Sequence, residues 1–180
     1  MTDEELVKGC IKENRSSQDM LYNIYAGKLM TVCYRYMENR MDAEDVLQEG
    51  FIKIFDNISK FRFHGSLEGW MKRIMANTSI NRLRKKDLLK GTQDPNMIDT
   101  PINESIIEKL DGETLIGIIQ KLPVGYRTVF NMFAIEGYSH KEIAQELGIE
   151  EVSSRTQLSK AKKVLQKQIL EFGGFIENEF

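Results

Sequence analysis

Residues 91–103, GTQDPNMIDTPIN, carry no apolar repeat of helical or strand period. They hold Pro95 and Pro101 beside Gly, Asp and Asn. Proline fixes φ and has no N–H to donate, so such a stretch ends regular structure and reads as a linker. On both sides of it the apolar residues return at helical spacing. A chain of 180 residues is long enough for two small cores. The expectation is an all-α protein of two small helical domains, 1–90 and 111–180, joined by a flexible linker over 91–110. Only three prolines in the whole chain, with abundant Leu, Ile, Met, Lys and Glu, point the same way. No stretch reads as a convincing strand, and there is no internal repeat.

Helix starts are marked by caps. Thr2-x-x-Glu5 is a capping box that opens a short first helix. Ser16 or Ser17 is expected to cap a second helix carrying Leu21, Ile24, Tyr25, Leu29, Val32, Cys33 and Tyr36. Asp42 is expected to cap a third that runs to about Ile58. Gly65-Ser66 breaks the chain, and Ser66 caps a fourth that extends toward Leu83. Beyond the linker, one helix lies before Pro123 and a second runs from Pro123 to Gly137. A third is capped by Ser139 and ends before Gly148. A last one spans about Glu151 to Leu170.

Composition excludes several classes. No apolar run reaches the roughly 18 residues of a membrane span. The start, MTDEELVKG, is acidic and polar, so no signal peptide is expected there and the chain is expected to be cytoplasmic. Cys10 and Cys33 are expected to be buried, reduced thiols. With His64 and His140 as the only histidines, a histidine-rich metal site or a histidine-based triad is not expected. Neither catalytic residues nor a cofactor nor a small-molecule substrate is indicated. The net charge of -2 conceals two basic islands. Lys60 to Lys90 holds nine basic residues against two acidic ones, and Val152 to Leu170 holds five against none, whereas residues 91–151 hold eleven acids and four bases. Two cationic surfaces on two modules suit a polyanion, although a charge run is more often a solvated helix face.

The second island belongs to GYSHKEIAQELGIEEVSSRTQLSKAKKVLQKQIL, residues 137–170, which has the shape of a helix-turn-helix. Ser139-x-x-Glu142 is a capping box, and Gly148 supplies the tight turn. On the last helix, at about 100° per residue, Ser154, Leu158, Ala161, Leu165 and Ile169 share one face. Ser153, Thr156, Lys160, Lys163 and Lys167 occupy the other. Short polar side chains near the start can reach base edges while lysines farther along meet phosphate. The candidate contacts are Ser153, Arg155, Thr156, Gln157, Ser159, Lys160 and Lys163.

The first island, FRFHGSLEGWMKRIMANTSINRLRKK, residues 61–86, interleaves aromatics with cations and amides. Aromatic faces stack on bases, cations meet the backbone and amides read base edges, a mixture suited to single-stranded or opened DNA. The candidates are Phe63, His64, Ser66, Trp70, Lys72, Arg73, Asn77, Asn81, Arg82 and Arg84. Phe61, Phe63 and Trp70 have core packing as the competing reading.

MDAEDVLQEGFIKIF, residues 41–55, supplies the third motif. Leu47, Phe51, Ile54, Phe55 and Ile58 form an apolar helix face. Opposite them stand Asp42, Asp45, Glu49 and Asp56, flanked by Gln48 and Ile52. A solvated face, a carboxylate metal site and a protein-docking face are the alternatives.

Taken together, these motifs resemble a bacterial RNA polymerase sigma factor of the extracytoplasmic function (ECF) group, in the sigma-70 family. DAEDVLQEGFIKIF resembles the conserved region 2.2 of that family. FHGSLEGWMKRIMANTSINRLRKK resembles the rest of the region 2 helical bundle, and LPVGYRTVFNMFAIEGYSHKEIAQELGIEEVSSRTQLSKAKKVL resembles the region 4 helix-turn-helix. The matches span nearly the whole chain in the family's order. The resemblance implies a transcription initiation factor that binds core RNA polymerase and directs it to promoters. It implies that Asp42, Asp45, Gln48, Glu49 and Ile52 dock on the β′ clamp helices, and that the β flap is a further polymerase contact. It assigns −10 recognition and melting to the Phe63–Arg84 region and −35 recognition to the last helix. It lets the acidic linker residues Asp94, Asp99, Glu104 and Glu108 run toward the RNA exit path. A membrane-linked anti-sigma protein is a plausible further partner by resemblance.

One departure stands out. Glu150-Glu151-Val152-Ser153 opens the last helix where many relatives have a Ser-Glu-Gly-Thr-like sequence. The acids suit the helix dipole but repel nearby phosphate. The rival readings are a stand-alone helix-turn-helix regulator, which has no need of the DVLQEG pattern; a metal-dependent DNA-processing enzyme built on the acidic stripe; and a purely structural helical protein.

Overall fold

The computed structural model describes residues 2–86 and 112–177, and all the regular structure in these residues is helical. The chain divides into two compact units, Met1–Lys86 and Asp87–Phe180. The linker expectation falls outside the described residues.

The first unit consists of α1 (Asp3–Ile11), α2 (Arg15–Tyr36), α3 (Arg40–Asn57), a 3-10 turn at Ile58–Lys60, and α4 (Leu67–Lys85). Helices α2, α3 and α4 pack against one another, and α1 lies on α2. Their seam is apolar: Leu21, Leu29, Cys33, Val46, Ile54, Met71 and Met75 are fully buried. Burial of this kind contributes about 25 cal/mol per Å² of apolar surface. Burial also pushes the Cys33 thiol up to about 12, so it stays protonated. Both cysteines are free and buried.

The Thr2 capping box closes α1 as expected, and Ser66 caps α4 through a bond from Gly69 N to its Oγ at 3.0 Å. Two expected caps are corrected. Asn14, not Ser16 or Ser17, caps α2: its Oδ1 accepts from Ser17 N at 3.0 Å. Ser17 is instead buried against Gly9, where an added Cβ would lie 2.1 Å from its Oγ. Asn39, not Asp42, caps α3, and Asp42 N donates to Asn39 Oδ1 at 2.8 Å. This places Asp42 within the first turn, where a carboxylate meets the positive end of the helix.

The second unit consists of α5 (Gly112–Gln120), α6 (Val124–Phe130), a π turn (Asn131–Ile135), α7 (His140–Leu147) and α8 (Glu151–Glu177). Ile118, Ile119, Leu122, Tyr126, Ala161, Leu165 and Ile169 form its core. The helix expected from Pro123 to Gly137 therefore changes winding before its end, and Gly137 leaves it with φ 77°. Helix α8 runs past Leu170, its expected end. Arg127 is fully buried and donates from Nη1 to Gln120 O at 2.7 Å. A guanidinium is well placed on a carbonyl of the last turn of α5.

Candidate nucleic-acid and partner interfaces

Helix α3 presents different residues inward and outward. Ala43, Val46, Leu47, Gly50, Phe51 and Ile54 are buried. Met41, Asp45, Gln48 and Ile52 follow at steps of four, three and four residues and are all exposed, Met41 at 71% and Ile52 at 61%. That spacing makes one outward stripe. Asp42, between these two faces, and Asp45, on the stripe, both bond to α4. Arg82 Nη2 donates to Asp42 Oδ1 at 3.0 Å and to Asp45 Oδ2 at 2.6 Å. Lys86 Nζ donates to Asp42 Oδ1 at 2.7 Å. The bonds from Lys86 and Arg82 hold the Asp42 carboxyl down at about 2. Glu49 is lowered by Lys53, whose Nζ lies 2.7 Å from its Oε1. Guanidinium and ammonium groups thus sit where a cation would approach Asp42 and Asp45. Among the described residues no group of three His, Cys, Asp or Glu side chains is arranged to hold a metal.

The α3–α4 connection carries an aromatic series. Phe61 is buried, with its ring centroid 4.7 Å from Phe63 and 5.5 Å from Trp70. Phe63 is 50% exposed and holds φ 57°, a left-handed backbone that an aromatic residue adopts only at a cost. Trp70 is half-buried and borders two open clefts. The first, about 420 Å³, is lined by Phe61, Arg62, His64, Ser66, Trp70 and Arg73 among others. The second, about 370 Å³, is lined by Trp70, Asn77 and Asn81 of α4 and by Lys53 and Asn57 of α3. Each therefore pairs an aromatic wall with cationic or amide groups, as an unstacked base beside its phosphate requires.

The predicted residues do not all line one cleft. His64, Ser66, Trp70 and Arg73 share the first cleft, and Trp70, Asn77 and Asn81 the second. Lys72 instead pairs with Glu68 at 2.7 Å, and Glu68 also holds Lys28 of α2. Arg82 bonds the α3 acids, and Arg84 donates to Asn81 Oδ1 at 2.6 Å. Sequence reasoning missed Lys53 and Asn57, which only the α3–α4 packing brings to Asn77. It also missed Met41, although its register with Asp45, Gln48 and Ile52 was readable.

In the second unit, Ser139 and Glu142 form the expected capping box of α7, and Gly148 ends it with φ 66°. Arg155, Thr156 and Ser159 on α8 are exposed, while Ser153, Gln157, Lys160 and Lys163 are partly covered. Arg155 Nη2 donates to Glu151 Oε1 at 2.5 Å, which partly screens the acid at the opening of the helix. Thr156 Oγ1 donates to Val152 O at 3.0 Å.

Comparison with known proteins matches both units. The Sigma-70 region 2 family covers residues 21–88, and Sigma-70, region 4 covers residues 113–165. The ECF RNA polymerase sigma factor SigW of Bacillus subtilis is 31% identical, across 92% of this chain and 98% of its own length. The chain belongs to the ECF sigma factors. The ECF RNA polymerase sigma-E factor of Haemophilus influenzae is 26% identical over 94% of the chain and 96% of its own length. Two solved structures share the fold. One is CnrH in complex with the cytosolic domain of CnrY, with a TM-score of 0.50, 20% identity, and coverage of 93% of this chain and 96% of that one. The other is RpoE in complex with the anti-sigma factor NepR from Bartonella quintana, with a TM-score of 0.51, 18% identity, and coverage of 85% and 96%. As an ECF sigma factor, this protein binds core RNA polymerase and promoter DNA and directs transcription initiation to specific promoters.

Proposed function

We propose how the residues divide this work. Residues 1–90 dock on the β′ clamp helices and hold the −10 element, residues 91–110 link the units, and residues 111–180 read the −35 element and meet the β flap. The docking contact is the outward stripe of Asp45, Gln48 and Ile52, extended by Met41. Asp42 acts from behind it by fixing α3 on the end of α4, and Glu49 by holding Lys53, which reaches Thr78 of α4. An apolar contact beside a carboxylate suits a basic helical partner: the apolar side chains supply burial and the acid supplies orientation.

For the −10 element, the observation that carries the reading is Trp70 standing between two clefts edged by cations and amides. Bases turned out of the duplex stack against the aromatic walls. Arg62 and Arg73 meet the backbone on one side, and Lys53 and Lys60 on the other. Unstacking costs a few kcal/mol per base, and stacking on an aromatic side chain returns about 1–3 kcal/mol. At the −35 element, Ser153, Arg155, Thr156, Gln157 and Ser159 face bases, while Lys160 and Lys163 face phosphates.

The protein performs no chemistry of its own; bond formation belongs to the polymerase, and no small-molecule substrate is required. It acts in the cytoplasm, where its polymerase is. Among the described residues no helix is long and apolar enough to cross a membrane. The two structural neighbours were solved bound to CnrY and to the anti-sigma factor NepR. They support a reading in which an anti-sigma protein binds this chain and holds it inactive.

The experiment combines the purified chain, core polymerase and a library of randomised promoters, and maps the RNA starts. Starts that require the chain and share two spaced motifs are expected. Replacing Trp70 with Ala should then abolish starts from duplex promoters but spare those from promoters pre-opened at −10. Equal loss on both templates would remove the melting role.

A further inference from the structure

Ser154 lies on the inward face of α8, in line with Leu158, Ala161, Leu165 and Ile169, and is fully buried. A buried hydroxyl in an apolar row is destabilising unless it is hydrogen-bonded. Its partner comes from another helix: Ser154 Oγ is 2.9 Å from Nδ1 of His140, the first residue of α7. The His140 ring in turn stacks on Phe133 of the π turn, with centroids 4.4 Å apart and planes 20° from parallel. Three elements therefore meet at one imidazole. Thr156, two residues on, bonds instead to its own helix at Val152 O. Ser154 thus serves the junction between helices, whereas Thr156 serves only α8.

The position of this junction gives it leverage. Ser154 is in the first turn of α8, the turn that also carries Ser153 and Arg155 and leads directly into Thr156 and Gln157. A small rotation about Ser154 would move all four relative to a base edge. Burial lowers the His140 pKa, with help from Arg155 and Lys162 and against Glu151, which favours the uncharged ring in the clasp. In one tautomer of the ring Ser154 Oγ–H donates to Nδ1, and in the other Nδ1–H donates to Ser154 Oγ.

We propose that His140 is a positioning residue for −35 recognition: by pinning Ser154 it fixes the pitch of α8, so that the pair helps set which −35 sequence is read. The proposal rests on α8 being the −35 helix.

The test uses the full chain with core polymerase on promoters randomised only through −35, with melting temperatures measured in parallel and each assay run where the variant is folded. His140→Phe keeps the stack and loses the bond; Ser154→Ala loses it from the other side. Each is expected to cut enrichment of the preferred −35 sequence by about tenfold, the scale of one hydrogen bond with its relaxed geometry. The His140→Phe/Ser154→Ala double variant should be no worse than either single, because both break one bond. His140→Asn, which can offer an amide near the Nδ1 position, should restore part of the preference. The apolar pair His140→Phe/Ser154→Val should recover melting temperature without recovering the original preference. Lower melting temperatures with an unchanged −35 profile would reduce the pair to packing and overturn the proposal, as would additive effects in the double variant. A wild-type protein with no −35 preference would overturn the reading of α8 itself, and the proposal with it.

Discussion

In the two units, the helices proposed to face DNA are braced by different forces. In the first, the C-terminal end of α4 is held by charge: Arg82 and Lys86 close on Asp42 and Asp45 of α3. In the second, the start of α8 is held by a neutral clasp, Phe133 on His140 on Ser154. Charge pairs of this partly exposed kind contribute modestly, about 0–1 kcal/mol for an exposed pair and more where one partner is covered, and they weaken in salt and acid. A neutral bond with a ring stack contributes on a similar scale but is indifferent to salt. Salt or a charged partner therefore loosens the α3–α4 brace more readily than the His140–Ser154 clasp.

The largest expected effect tests the charged side. Asp45→Arg puts a cation on the proposed docking stripe and beside Arg82; polymerase association in a pull-down should disappear while the helical circular dichroism is retained. Normal assembly by this variant would remove the docking assignment.

Acid comes next. Asp42 sits at about 2 in the folded protein against an ordinary value of 3.8. Its folded value is the lower one, so its stabilisation is present above about pH 4 and is lost as pH falls toward 2; at most this is roughly 2 kcal/mol. Trp70 is the single tryptophan and lies in the first unit, so its fluorescence in urea follows that unit alone. Asp42→Asn should lower the urea midpoint at pH 7 and flatten its dependence below pH 4; an unchanged acid slope would mean that the brace contributes nothing.

A cap on the neutral side sharpens the contrast. Ser139→Ala removes the oxygen that accepts from Glu142 N at 3.2 Å and donates to Glu142 Oε2 at 2.8 Å, and should cost about 1 kcal/mol. Faster amide exchange through α7, with the first unit unaffected, is the measurement. The smallest effect is expected for Lys160→Ala: slightly weaker promoter binding for every sequence, and a salt slope reduced by about 1. A change in base preference without a change of slope would place Lys160 on bases instead.

Much of this was readable along the chain. The capping boxes at Thr2 and Ser139, the Ser66 cap, the αL glycine at 148 and the helical periodicities depend on residues within a turn of each other, so sequence spacing carries them. The caps of α2 and α3 were misplaced because Asn14 and Asn39 compete with nearby Ser and Asp residues that are equally good cappers; burial of Ser17 against Gly9 and the pull of Arg82 on Asp42 decided between them. The aromatics of the α3–α4 connection could be named but not sorted. Burial of Phe61, the αL backbone of exposed Phe63 and the shared wall of Trp70 follow from how α3 and α4 close together.

By itself, then, the sequence determined the helices, their amphipathic faces, the division into two units and the order of motifs that makes this an ECF sigma factor, because all of these are local or periodic. The tertiary structure decided which charges are spent. Arg82 reads as a DNA contact along the chain and bonds two acids some forty residues away; Lys53 and Asn57 read as part of the third helix and line a cleft with Asn77. A side chain's partner is set by distance in space, and only packing brings such residues within the 3 Å at which a hydrogen bond forms.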